Sequence, residues 1–214
     1  VMPSVQAAKR CKKAGVNVVI ASGHEGGFHT SWDPVHTIVL LPAVVDAVSD
    51  ADTLVVGASG FSDGKSVAAA FALGADGVQM GTRFLATEES DFHPNWKQAV
   101  VEAGDRATLI ARGFVGPARW LKNARSQEHA VNTLKKSPGL YIGMPDDYST
   151  TDMSLIEFEH ESMNAVYAGD KEKSMFAAGE SAQRINDLPK TADLVQRIMK
   201  EAEETLLNLS KLVY

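Results

Sequence analysis

One local pattern occurs twice in this chain and limits the folds open to it. Lys13-Ala14-Gly15-Val16-Asn17-Val18-Val19 and Ala72-Leu73-Gly74-Ala75-Asp76-Gly77-Val78 each end a helix at glycine, turn through Asn or Asp, and enter a strand. Glycine suits the stop because it takes left-handed φ without a Cβ penalty. Around these echoes, helix and strand patterns alternate. Ser4 is a cap for a helix on which Val5, Ala8 and Cys11 recur, and residues 16–21 are short, apolar and β-branched, as a buried parallel strand requires. A Gly- and His-rich loop spans 22–37, and 38–48 is helical, started or broken at Pro42. A strand over 53–57, an Ala-rich helix over 63–73 and a strand over 77–80 complete the run. Repeated right-handed βα units mean a doubly wound sheet or a (β/α)8 barrel. In either, ligands sit at the carboxyl ends of the strands, here 22–29, 59–64 and 81–82.

Past Arg83 the pattern changes. Helices are expected over 91–103, 126–136, 155–168 and 191–212, with Gly-, Pro- and Asp-rich loops over 137–152. The expected organisation is barrel over 1–86, a mainly helical subdomain over 87–188, and a final helix over 189–214 that returns to the barrel. Glu157, Glu159 and Glu161 read as a solvated helix face, and Trp96 and Trp120 as packing residues. The 21 Lys and Arg against 27 Asp and Glu, a net charge of −6, leave no cation excess for nucleic acid or an anionic membrane surface. No apolar run approaches the length of a membrane span. The single cysteine, Cys11, has no partner for an internal disulfide, so a cytoplasmic location is expected.

Three strand-end segments carry the chemistry. Residues 55–66 run from strand to helix through Ser59, Gly60 and Gly64, a turn whose amides and helix start suit a phosphate. Gly64-Lys65-Ser66 is not a P-loop, because the required earlier glycine falls at Ser59 and Gly60 leaves the spacing one residue short. A second turn, Gln79-Met80-Gly81-Thr82, pairs a side-chain-free residue with a hydroxyl, and two such successive ends make the usual phosphate site of a barrel. The third segment is Ser22-Gly23-His24-Glu25-Gly26-Gly27-Phe28-His29. Its imidazoles and carboxylate suit acid–base chemistry; as metal ligands they are nearly adjacent and lack a partner cluster, so no metal is expected. His29 is the expected functional histidine, ahead of His24 and His36.

The order of these segments resembles the nitronate monooxygenase family, formerly 2-nitropropane dioxygenases, which also holds flavin-dependent enoyl-ACP reductases and NADH:quinone reductases. Its hallmark loop Gly-x-Glu-Ala-Gly-Gly-His is similar to Gly23 through His29, and its Gly-Gly-Ile-x-Asp-Gly turn to Ser59-Gly60-Phe61-Ser62-Asp63-Gly64. Residues 73–90 follow the family nearly residue for residue, and Leu41-Pro42-Ala43-Val44-Val45-Asp46 and Gly116-Pro117-Ala118-Arg119-Trp120-Leu121-Lys122-Asn123 match as well. The resemblance implies a (β/α)8 barrel holding FMN, with a helical lid. It places the FMN phosphate and ribityl chain on Ser59, Gly60, Gln79, Met80, Gly81 and Thr82, puts Ser22 and Gly27 against the flavin, and sets His29 at the catalytic histidine. Phe28, His24 and Trp32 become substrate-pocket walls. The implied reaction is oxidation of nitronates or nitroalkanes with O2 to a carbonyl compound and nitrite. The alternative is NAD(P)H-dependent reduction of an enoyl thioester or a quinone. An inosine-monophosphate-dehydrogenase-like barrel would need a nucleophilic cysteine in a loop, whereas Cys11 sits in a helix. A flavin-binding or inactive half-barrel is the non-enzyme reading.

Three departures from the family pattern stand at the expected site. Phe28 replaces a glycine, Ser22 a common glutamine, and Ser59 a glycine. The segment 30–37 also differs from the family. Val1-Met2-Pro3-Ser4-Val5 resembles the fifth barrel strand and its exit, so the resemblance covers only strands five to eight. The expectation that follows is a fragment or one piece of a split protein, with weak FMN binding until an N-terminal half-barrel or a homodimer partner complements it.

Overall fold

The computed structural model describes residues 1–209 and Lys211. Helix α1 (Val5–Lys13) starts where the Ala7 amide donates to Ser4 Oγ at 3.2 Å and ends before Gly15, whose φ is 82°. It leads into strand β1 (Val18–Ser22), and a short strand β2 (Phe28–His29) follows in the loop after it. Helix α2 (Thr37–Val48) runs through Pro42 rather than starting or breaking there. Proline leaves the carbonyl four residues earlier without its amide; that residue, Ile38, is exposed, while Leu40, Leu41, Val44 and Val48 are buried on the opposite side.

Strand β3 (Leu54–Ala58), helix α3 (Gly64–Ala72) and strand β4 (Gly77–Gln79) complete the repeating part. The parallel sheet has the order β1-β3-β4, and Met2 bridges to Ala21 on the outer side of β1. Its register sets Ser22 beside Ala58, and Ala58 beside Gln79, so the carboxyl ends of the three strands are level. The expected (β/α)8 barrel is therefore represented by an open parallel sheet; among the described residues the ladder does not close. Helices α1 and α2 cover one side, through Ala8, Leu41, Val44, Val19 and Val55.

Past β4 comes a one-turn helix α4 (Thr82–Leu85), then α5 (Pro94–Val101). Strands β5 (Thr108–Gly113) and β6 (Gly116–Leu121) form a hairpin to which β2 adds, in the antiparallel order β2-β6-β5. The mainly helical reading of 87–188 has no place for this hairpin. Its signals are weak for physical reasons: β6 is buried at every position, which removes the alternation of a half-exposed strand, and Pro117 stands inside it. Helices α6 (Ala124–Lys136) and α7 (Met153–Tyr167) pack with the hairpin, and Trp120 is fully buried in the core they share with Trp96, Met175 and Ile185.

The last helix, α8 (Thr191–Leu209), returns to α3, burying Leu194, Ile198 and Ala202 on Val67 and Ala68. Of the rest of the expected helix, Ser210 and Leu212 lie outside the described residues. The contact is close at Gly64, where a Cβ would stand 2.5 Å from Ala202 N and Ile198 O. The Gly64 amide donates to Glu201 Oε2 at 2.8 Å, so α8 supplies a carboxylate to the start of α3. Among the described residues no helix is long and apolar enough to cross a membrane.

Glu159 departs from the solvated face expected of it. Its side chain is buried on α7 beneath the hairpin, and burial pushes its carboxyl up to about 7, with the Phe114 amide and the Arg112 guanidinium offsetting only part of that cost.

Two predictions follow from this packing. Gly64→Ala drives a methyl group into backbone atoms of α8 and should cost about 1–3 kcal/mol in urea unfolding, the range for overpacking. Glu159 binds its proton more tightly folded than unfolded, so its contribution is fully present below the unfolded pKa and is lost as pH rises through about 7. Glu159→Gln should remove that slope and make the protein more stable than the parent at pH 8 by on the order of 2 kcal/mol, with little difference at pH 5. Urea midpoints at the two pH values check it.

Candidate active site

A cavity of about 470 Å³ opens at the level carboxyl ends of β1, β3 and β4. That is within the range of cofactor and small-molecule sites. Ser22, Gly27, His29, Ser59, Gly60, Gln79, Met80, Gly81 and Thr82 all line it, so the fold brings together every residue expected to touch FMN and the expected catalytic histidine. Phe28 lines it as well. Trp96, expected only as packing, joins Leu85, Phe92 and Met163 to make one end of the cavity apolar. Nothing local in the sequence marks Phe92 or Met163 for this place; tertiary folding of the subdomain over the strand ends brings them there. No Lys or Arg side chain is among the described lining residues.

His24 and Trp32 are placed elsewhere and do not line the cavity. The His24 ring stands edge-on to His36 at 5.7 Å, and burial lowers its pKa, with Arg119 and His36 adding to the effect and Glu25 opposing it. Trp32 packs against the hairpin turn, its Nε1 2.8 Å from where a Gly116 Cβ would be, with the Arg112 guanidinium 5.4 Å from its ring centre.

The loop between β1 and β2 is built by close approach. The Glu25 carboxylate accepts the Thr37 amide at 2.9 and 3.1 Å and the Thr37 hydroxyl at 2.9 Å, which fastens the loop to the start of α2. This commits Glu25 to structure, away from the acid–base or metal chemistry its neighbours suggest. At Gly27 a Cβ would stand 2.5 Å from Ala178 C and Gly179 N, so only glycine lets the loop meet the returning chain. The next residue turns sharply, Phe28 having φ 61°. After β3 the chain turns through Ser59 and Gly60, with φ of 79° and 82°. The Ser59 hydroxyl lies 3.0 Å from that of Ser22. The start of α3 is already served by carboxylates, Asp63 accepting the Ser66 amide at 2.9 Å and Glu201 that of Gly64 at 2.8 Å. The Gly64 and Ser66 amides at this helix start, expected from the sequence to suit a phosphate, are therefore already paired within the protein.

His29 reaches the cavity from β2, whose partner on β6 is Ala118. Burial lowers the pKa of its imidazole, and the Arg112 guanidinium lowers it further. Both effects favour the neutral form of the ring at pH 7. Its Nδ1 is buried without a hydrogen-bond partner, and the Phe28 ring leans on it at 4.2 Å and 56°. Arg119 sits opposite Phe28 in the ladder. It is buried, ion-paired to Glu180 at 2.9 Å and donating to the His24 carbonyl at 2.9 Å, so it braces the loop and does not face a ligand. The returning chain is fixed on two further sides: the Gly179 amide donates to Thr82 Oγ1, and the Glu180 amide to the Glu25 carbonyl, each at 2.9 Å. Among the described residues no group of His, Cys, Asp or Glu side chains is arranged to hold a metal ion.

This geometry has close counterparts. The chain is 34% identical to FabK from Thermotoga maritima, with a TM-score of 0.84 over 99% of this chain and 62% of that one. It is 30% identical to nitroalkane oxidase from Streptomyces ansochromogenes, with a TM-score of 0.75 over 97% of this chain and 58% of the other. A (3aS,4S,5R,7aS)-5-hydroxy-7a-methyl-1-oxo-octahydro-1H-indene-4-carboxyl-CoA dehydrogenase of Rhodococcus jostii (strain RHA1) shares 35% identity across 94% of this chain and 64% of its own length. The chain thus spans less than two thirds of the length of each of these relatives. The family model for nitronate monooxygenase matches residues 1–201. A family model that spans nearly all of the chain and relatives above 30% identity agree, and the chain belongs to the nitronate monooxygenase family.

Proposed function

We propose that this protein is an FMN-dependent oxidoreductase that oxidises nitroalkanes or nitronates with O2 to a carbonyl compound and nitrite. The observation that carries the reading is the placement of a neutral imidazole, His29, in the same cavity as the two strand-end turns at 59–60 and 81–82. The residues present fit FMN: Gly60 and Gly81 leave room for a phosphate, since a Cβ at Gly81 would meet nothing within 4 Å, and Ser22, Ser59, Gln79 and Thr82 bring polar groups to the same end. When bound, FMN supplies the electron acceptor for the substrate and the means of passing electrons to O2.

The protein's own residues do the rest. His29 takes the proton from the carbon next to a nitro group, which a protonated imidazole could not do, and its low pKa keeps it ready at neutral pH. The subdomain contributes Gly179 and Ser181 to the lining of the cavity beside the strand ends. In this reading residues 1–86 with 189–214 form the strand-five-to-eight half of a (β/α)8 barrel and 87–188 its lid. Closing that barrel takes further strands, from an N-terminal half or a second copy. The free thiol of Cys11 fits a cytoplasmic protein. A second reading, NAD(P)H-dependent reduction of an enoyl thioester or quinone, is favoured by the apolar end of the cavity and by the likeness to FabK and to the CoA-substrate dehydrogenase.

The test is anaerobic visible absorbance of the FMN-loaded protein mixed with nitroethane, without NAD(P)H. Bleaching of the flavin band is expected, and its rate should rise with pH through an apparent pKa below 6.5 and then level off, as His29 loses its proton. An unchanged band with nitroethane or propionate 3-nitronate, and bleaching on addition of NADH or NADPH, would sink nitro compounds as donors in favour of the second reading. His29→Gln should slow bleaching by neutral nitroethane about 10²–10⁴-fold, the usual size of a lost proton acceptor.

A further inference from the structure

We infer that Phe28 is a specificity-determining residue, which fits the cavity to a neutral substrate whose apolar body lies against its ring. The inference deepens the oxidoreductase reading above and rests on it. Phe28 has φ 61°, in the left-handed region where a bulky side chain is an outlier. Such strain persists only where the surroundings impose it, and it gathers at functional sites. The side chain gains little from the protein core in return, being 37% exposed. It is nonetheless held in a definite pose: its ring leans on His29 at 4.2 Å and stands edge-on to the buried Trp120 at 5.5 Å.

That pose gives the cavity a wall beside the imidazole. Leu85, Phe92, Trp96 and Met163 continue the apolar surface on the subdomain side. No positive side chain offers itself to an anionic body: Arg119 is turned to Glu180, and Arg112 to Asp146 at 3.1 Å. The lining carboxylate, Glu25, is bound to Thr37. A flat or alicyclic neutral body beside the reacting carbon satisfies these walls, and a small polar one leaves them facing water.

The test compares 2-phenyl-1-nitroethane with nitroethane, binding by anaerobic calorimetry at pH 6 to the protein loaded with FMN held in its reduced form so that no oxidation occurs, alongside thermal melting. The parent should bind the phenyl compound at least about tenfold more tightly, the contribution of one ring buried against another. Phe28→Gly should cut that ratio to about threefold or less while moving Tm by no more than about 4 °C, because relief of the left-handed backbone offsets the loss of a half-exposed ring. Phe28→Leu, which keeps bulk but no aromatic face, should give an intermediate ratio and covers the case in which the glycine variant fails to fold. A parent-like ratio in both variants would overturn the inference, as would a Tm loss beyond about 8 °C in Phe28→Gly, the mark of a core residue. Absence of any flavin bleaching with a Phe28-dependent binding ratio intact would sink nitroalkane oxidation alone and leave the assignment of Phe28 standing.

Discussion

The contact between Gly27 and the Ala178–Gly179 backbone sets the geometry of the whole site. A single methyl group there would stand 2.5 Å from Ala178 C and Gly179 N, so the loop after β1 and the chain returning from the subdomain meet as bare backbones. Everything around that point keeps it closed. Gly179 and Glu180 donate their amides to Thr82 Oγ1 and to the Glu25 carbonyl. Arg119 reaches from β6 to Glu180 and to the His24 carbonyl. These bonds join the end of β4, the loop after β1 and the subdomain hairpin, three parts distant in sequence. An ion pair of this kind, buried at the guanidinium and exposed at Glu180, adds little net stability, because desolvation of the arginine consumes much of the attraction. Its effect is on arrangement: with Arg119 paired, β2 lies on β6, and His29 is presented to the cavity.

The same arrangement explains the charge state of the site. Arg112 and Arg119, on β5 and β6, are not among the residues that line the cavity, and each is paired with a carboxylate. Their fields still reach the imidazoles, Arg112 contributing to the lowered pKa of His29 and Arg119 to that of His24. Burial is the larger cause in both cases. A ring so placed is neutral at physiological pH without any hydrogen bond dedicated to it, and the unpartnered Nδ1 of His29 is the visible cost. Glu159 shows the same physics with the opposite charge. It is buried behind the hairpin with too little compensation, and its proton is held up to about 7.

What could be read from the sequence was what is decided locally. The glycine stop at Gly15, the cap at Ser4 and the β-branched run into β1 are short-range signals, and the structure follows them. The level strand ends at Ser22, Ala58 and Gln79 follow from repeating the same βα unit. The hairpin of β5 and β6 escaped because burial on both faces erases the alternation that announces a strand, and Pro117 argues against one. Glu159 escaped because its helix face is decided by a hairpin not yet known to be there. His24 and Trp32 share a loop with His29, yet side chains in a loop with a left-handed turn at Phe28 do not keep one direction. Proximity in sequence to His29 therefore carried less information about which residues line the cavity than strand register did.

Two of the three departures from the family pattern at this site, Phe28 and Ser59, fall on left-handed backbone, and this coincidence has a physical reading. A residue other than glycine costs roughly 1–2 kcal/mol in that conformation. Both positions lie in ordered surroundings: β2 pairs with β6 at Phe28 and Arg119, and the turn after β3 passes into Gly60 with φ 82°. The backbone is thus dictated from outside these positions, by Gly27 against Ala178 and by the ladder, and the side chains are carried in a conformation they would not choose. Each places a group in the cavity that glycine could not supply, an aromatic ring against His29 in one case and a hydroxyl 3.0 Å from Ser22 in the other. A scaffold rigid enough to hold strained residues in place can change its lining without changing its path. On that argument the strained positions shape the lining of the cavity, while the strands and the Gly27 contact fix where the cavity lies.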